Sequence, residues 1–117
     1  MAYGLWLKLD QTRAHREDFS SDAFLTGTIY TNIGQSTAKN LTGYTVTVRM
    51  HRPIHFGDFF NKVATIVSAV NGTWSYLVGA AELPPRGLYY VSVEITKSGV
   101  KESTLNREEF HVLGGLT

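Results

Sequence analysis

The feature that most constrains this chain is a strict period-two alternation, clearest in Tyr44-Thr45-Val46-Thr47-Val48-Arg49-Met50-His51. Tyr44, Val46, Val48 and Met50 fall on one side, and Thr45, Thr47, Arg49 and His51 on the other. Successive side chains of a β-strand point to opposite faces, so this run reads as a strand with one buried side. A helix would need apolar residues three and four apart, which the segment lacks. A sheet that is apolar on one face must bury it against another layer.

The same period recurs along the chain. Leu5, Leu7 and Leu9 share a face, as do Leu25, Gly27 and Ile29 within Phe24 to Thr31, where Phe24 and Tyr30 make the second face apolar as well. Trp74, Tyr76 and Val78 alternate with Thr73, Ser75 and Leu77. Tyr89, Val91, Val93 and Ile95 alternate with Tyr90, Ser92, Glu94 and Thr96, and Phe110 and Val112 with Glu109 and His111. Val63 to Val70 is rich in β-formers, but its facing is ambiguous. Turn signals separate the runs: Asn32 to Lys39, Asn71-Gly72, Pro84-Pro85-Arg86-Gly87 and Lys97-Ser98-Gly99. Gln11 to Ser21 reads as a loop or a single helical turn, and Arg52 to Asn61 as a long loop. This spacing predicts an all-β, immunoglobulin-like β-sandwich of about seven to eight antiparallel strands. Residues 1–113 are expected to form one domain, and 114–117 a short flexible tail.

Composition narrows the function. The chain has 117 residues, 43% hydrophobic and 18% charged, which is a globular balance. A formal net charge of +1 gives no basic surplus for nucleic acid. There is no cysteine, so disulfides, thiolate metal sites and cysteine nucleophiles are excluded. No stretch reaches the length of a membrane span, and the start lacks the basic and apolar regions of a signal peptide. Asn40-Leu41-Thr42 and Asn71-Gly72-Thr73 match the glycosylation pattern but read as turns.

Reactive constellations are thin. His51 and His55 lie four apart around Pro53 and cannot share a helix face as metal ligands do. His51 and His111 fall on outward faces, and the four histidines, His15 among them, read as solvent-exposed. Glu108 and Glu109 are expected on opposite strand faces, and no Gly-x-Ser-x-Gly elbow occurs. No catalytic, cofactor-binding or metal-ligating residue is therefore expected, and the chain reads as no enzyme. Phe56, Phe59 and Phe60 in one loop are costly to leave in water, and they either cap the sandwich or anchor a partner. Trp6 stands opposite Leu5 and Leu7. Tyr90, with Leu88, stands on an outward face expected to carry few charges and so suited to burial against another copy. Trp6, Phe56, Phe59, Phe60 and Tyr90 are thus the candidate interface. A rival expectation is a carbohydrate- or ligand-binding module that stacks sugars on Trp6, Tyr30 or Tyr90.

Leu41-Thr42-Gly43-Tyr44-Thr45-Val46 resembles a strand of the N-terminal immunoglobulin-like domain of phage baseplate upper proteins. Val67-Ser68-Ala69-Val70-Asn71-Gly72-Thr73-Trp74-Ser75-Tyr76 is similar to that family's strand, glycine turn and aromatic strand. Leu83-Pro84-Pro85-Arg86-Gly87-Leu88-Tyr89-Tyr90 is similar to its proline link and Gly-x-Tyr strand. The Ser98-Gly99 turn and Phe110-His111-Val112 also fit, so the resemblance spans roughly residues 5 to 113. It implies a virion β-sandwich in a baseplate, tail or capsid decoration, assembled in the host cytoplasm. Its partners would be other virion proteins in a symmetric assembly, further copies of itself included, with no nucleic acid, membrane or cofactor. The phenylalanine-rich stretch stands where that family has a short connection.

Overall fold

The computed structural model describes residues 4–15, 24–31, 37–51, 60–77 and 87–113. Among them are nine strands and no helix: β1 (Trp6–Leu9), β2 (Arg13–His15), β3 (Phe24–Tyr30), β4 (Thr45–His51), β5 (Phe60–Ser68), β6 (Thr73–Leu77), β7 (Gly87–Lys97), β8 (Val100–Ser103) and β9 (Glu108–Leu113). Period-two alternation sets the inside and outside of each long strand. Val46, Val48 and Met50 of β4 are buried, as are Tyr89, Val91, Val93 and Ile95 of β7, while their neighbours along the strand are exposed or half-buried.

The strands form one hydrogen-bonded path, β1-β3-β6-β5-β4-β7-β9-β2, with β8 pairing β7. All these pairs are antiparallel except β2–β9, which is parallel. The path curls into two layers that share β5. As far as Ala64, β5 pairs β4; from Thr65 it pairs β6, with a bulge between Ile66 and Ser68. Inward residues of both layers, from Leu5, Leu7 and Leu25 to Val93, Phe110 and Val112, make a single core. The all-β sandwich-like class expected from the pattern is the one observed.

Two details position this core. Gly27 sits mid-strand because a Cβ there would lie 2.9 Å from the Lys8 carbonyl oxygen and 3.0 Å from Trp74 Cζ2. The missing side chain lets the buried Trp74 indole lie against β3. Gly72 has φ +68°, and a Cβ there would come within 2.7 Å of the Ile29 oxygen and 2.8 Å of the Lys39 oxygen. The Asn71-Gly72 signal marks a real turn, but the connection runs from residue 69 to 72 and only Gly72 takes a positive φ. Ser98-Gly99 is a two-residue hairpin with φ 51° and 80°.

Two expectations are corrected. Arg13–His15, within the stretch read as a loop or helical turn, is a strand laid parallel to β9. Phe60 and Asn61 open β5 opposite Met50 and Arg49 and do not belong to the preceding loop.

β1, one end of the path, meets the connection from β8 to β9. Thr104 continues the β8 ladder, donating its N–H to the Val93 oxygen at 2.9 Å. The two residues of β7 between Glu94 and Val91 are then matched by four between Ser103 and Glu108, so the connection bulges outward. The bulge reaches β1: Leu105 N–H donates to the Leu5 oxygen at 2.8 Å. The Asn106 amide clasps Leu7, its Oδ1 accepting from the Leu7 N–H at 2.7 Å and its Nδ2 donating to the Leu7 oxygen at 2.8 Å. One side chain thereby replaces a ladder partner on the β1 edge, which would otherwise offer free backbone groups.

Candidate functional site

The two layers present very different outer faces. On β1, β3, β6 and the part of β5 that pairs β6, the outward positions include Trp6, Lys8, Thr26, Thr28, Tyr30, Thr73, Ser75, Leu77, Thr65 and Val67, of which Lys8, on the terminal strand, is the one charged side chain. Asn61 and Val63 stand before the exchange of partners, opposite Arg49 and Thr47 of β4, at the seam with the other layer. Val63, Val67 and Leu77 are 66%, 65% and 48% exposed. The register that sets Thr65 opposite Ser75 carries Val63 toward Leu77. A lone exposed valine is ordinary, whereas a charge-depleted face with several is the composition of an interface core.

The outer face of β4, β7 and β9 is polar. His51 lies opposite Tyr90, Tyr90 opposite Glu109, and Leu88 opposite His111. Arg49 approaches Glu94 at 3.9 Å. The Arg107 guanidinium lies 4.5 Å over the Tyr90 ring, a cation–π stack. His51 tilts against the same ring at 5.9 Å and 50°. Arg107 Nη1 stands 3.4 Å from His51 Nε2. Guanidinium has no acceptor, so the imidazole nitrogen takes the accepting role. The expectation that Tyr90 and Leu88 share a face with few charges is therefore corrected: three strands bring Arg49, Glu94 and Glu109 to this face, and the connection before β9 adds Arg107.

Beside this stack lies an open cleft of about 400 Å³ lined by Thr12, Arg107, Glu108, Glu109 and His111. Thr12, just before β2, forms one wall with β9, and its oxygen accepts the His111 N–H at 2.8 Å. Glu109 Oε1 sits 3.7 Å from His111 Nε2. Glu108 and Glu109, expected to diverge, both line the cleft; Glu108 is the first residue of β9, where the strand leaves the bulge.

The residues singled out by sequence do not gather in one place. Trp6 is half-buried on the charge-poor face, opposite Tyr30, and its indole N–H is covered without an acceptor. Tyr90 belongs to the other layer. Phe60 contributes backbone to β5, while Phe56, Phe59 and His55 lie outside the described residues. His111 is exposed, and His51 is half-buried. Sequence reading missed Val63, Val67 and Leu77 as a group, and also Arg107. The signal for Val63 and Val67 was present in Val63 to Val70, the β-rich run whose facing is ambiguous in the sequence. Among the described residues no three histidine or carboxylate side chains group as metal ligands, and no helix is long and apolar enough to cross a membrane.

No family model matches the chain, and a search of curated proteins returns no relative.

Proposed function

We propose that this chain is a non-enzymatic structural protein of a phage particle, held in a baseplate, tail or capsid-associated site by protein–protein contacts. The phage setting rests on the motif resemblance between residues 5 and 113. The observation that carries the contact reading is exposed Val67 and Leu77 on a face whose one described charge is Lys8, continued by exposed Val63 at the seam with β4. Such a face loses little by desolvation, because it has almost no charge to strip of water. Its apolar groups contribute roughly 25 cal/mol per Å² once covered. Its partners are other virion proteins, met in the host cytoplasm during assembly.

The test is co-sedimentation in a lysate where particles assemble. The unaltered chain is expected to sediment with the particles, and Val63→Asp/Val67→Asp to stay in the supernatant while its far-ultraviolet spectrum is unchanged. Particle-bound recovery of the double variant at the unaltered level would remove this face from the contact.

A further inference from the structure

We propose that the cleft beside Tyr90 binds a neutral saccharide, on the face opposite the one assigned to assembly. The reasoning begins with what the walls can offer. Arg107 is a donor only, and among the described residues it pairs with no carboxylate: its partners are the Tyr90 ring and His51. Glu108 and Glu109 as carboxylates are acceptors only. The Thr12 hydroxyl and the His111 imidazole both donate and accept. An anion entering the cleft meets two carboxylates, and a cation meets the guanidinium. A hydroxyl donates to the one and accepts from the other, so a polyol satisfies every wall without burying a like charge.

Geometry favours the same class. A volume of about 400 Å³ lies within the range of small-molecule sites. The Arg107 guanidinium already rests on the Tyr90 ring and against His51, so part of its ordering is in place before a ligand arrives. Tyr90 and His51 are positioning residues for Arg107, which itself touches the ligand. The cleft is open and shallow, so a single site binds weakly, with a Kd of order 1 mM. Repeated copies in an assembly would multiply that grip without new contacts.

The experiment uses the full chain, labelled with nitrogen-15 and titrated with maltose, cellobiose, lactose and N,N′-diacetylchitobiose, with sodium glucuronate and glucosamine hydrochloride as anionic and cationic probes. At least one neutral disaccharide is expected to shift the amides of Thr12 and of residues 107–111. Arg107→Ala should weaken that binding roughly tenfold or more, the cost of one charge-assisted hydrogen bond. Tyr90→Ala should weaken it as well, and Tyr90→Phe, which keeps the ring under the guanidinium, should restore it. Lys8→Ala on the opposite face should leave it unchanged. The proposal is overturned if no neutral disaccharide moves those amides, if only glucuronate or glucosamine does, or if Arg107→Ala binds as well as the parent. Each of these results leaves the co-sedimentation test untouched.

Discussion

The outer face of β1, β3, β6 and β5 and that of β4, β7 and β9 share one backbone geometry and differ in what stands on it. The first carries threonine, serine and valine, with Trp6 and Tyr30 meeting at one side and Lys8 as its described charge. The second carries Arg49, Glu94, Glu109 and His111, with Tyr90 held between His51 and Arg107. Both back onto the same core, so folding does not require the difference. A solvated face gains from charge, which keeps copies apart and in solution. A face that forgoes it is suited to being covered. The contrast therefore separates two roles: broad contact on the charge-poor side, and directional hydrogen bonding in a small cleft on the polar side.

The sharpest way to break this contrast is to place the same carboxylate inside and outside the sandwich. Val93 of β7 is 1% exposed, and Val67 of β5 is 65% exposed. Val93→Asp buries an unpaired charge and should cost about 3–5 kcal/mol, enough to unfold much of the population. Val67→Asp should stay within roughly 0.5 kcal/mol of the parent in urea denaturation. If Val67→Asp also costs several kcal/mol, the valine row is held by the chain itself and is not a free surface.

A middling effect is expected where the layers are joined. Asn106 is the clasp between β1, which edges the charge-poor layer, and the bulge that leads into β9 of the polar one. Asn106→Ala removes both hydrogen bonds to Leu7 and should cost about 1–3 kcal/mol. Hydrogen exchange at the Leu7 amide should accelerate well beyond that at Val93, since the edge opens before the core. Asn106→Asp keeps the acceptor for the Leu7 N–H but loses the donor to its oxygen, so it should fall between alanine and the parent. Equal exchange rates at Leu7 in all three proteins would mean that the clasp does not close the edge.

How much of this was legible in the sequence depends on the physical source of each feature. Strands with one buried face were legible, because burial imposes the period: Val46, Val48 and Met50, or Tyr89 to Ile95, can be read directly. The facing of Val63 to Val70 was not, for two reasons. β5 exchanges partners at Ala64–Thr65, and the bulge after Ile66 shifts the register, so no single period spans it. β2 was illegible because Arg13–His15 lies in a polar stretch that carries no alternation. Asn106 and Arg107 carry no signal in the sequence, since a clasp between positions 7 and 106 and a stack between 90 and 107 arise from contacts distant in the chain. The phenylalanine stretch at Phe56 and Phe59 lies outside the described residues, and the weight placed on it moves to Val63, Val67 and Leu77.

The smallest effect tests whether the polar face owes its charges to stability. Arg49 and Glu94 approach diagonally across β4 and β7 at 3.9 Å, with side chains 39% and 21% exposed. A pair this open exchanges hydration for attraction at nearly even terms, so Arg49→Ala should cost about 0.2–1 kcal/mol. Salt should shrink the difference between parent and variant, because the Debye length falls from about 10 Å at 0.1 M to about 3 Å at 1 M. Thermal melts of both proteins across that range measure it directly. A loss well above 1 kcal/mol that persists in high salt would make the charges structural, and the polar face would then differ from the charge-poor one in what holds the fold together as well as in what it meets.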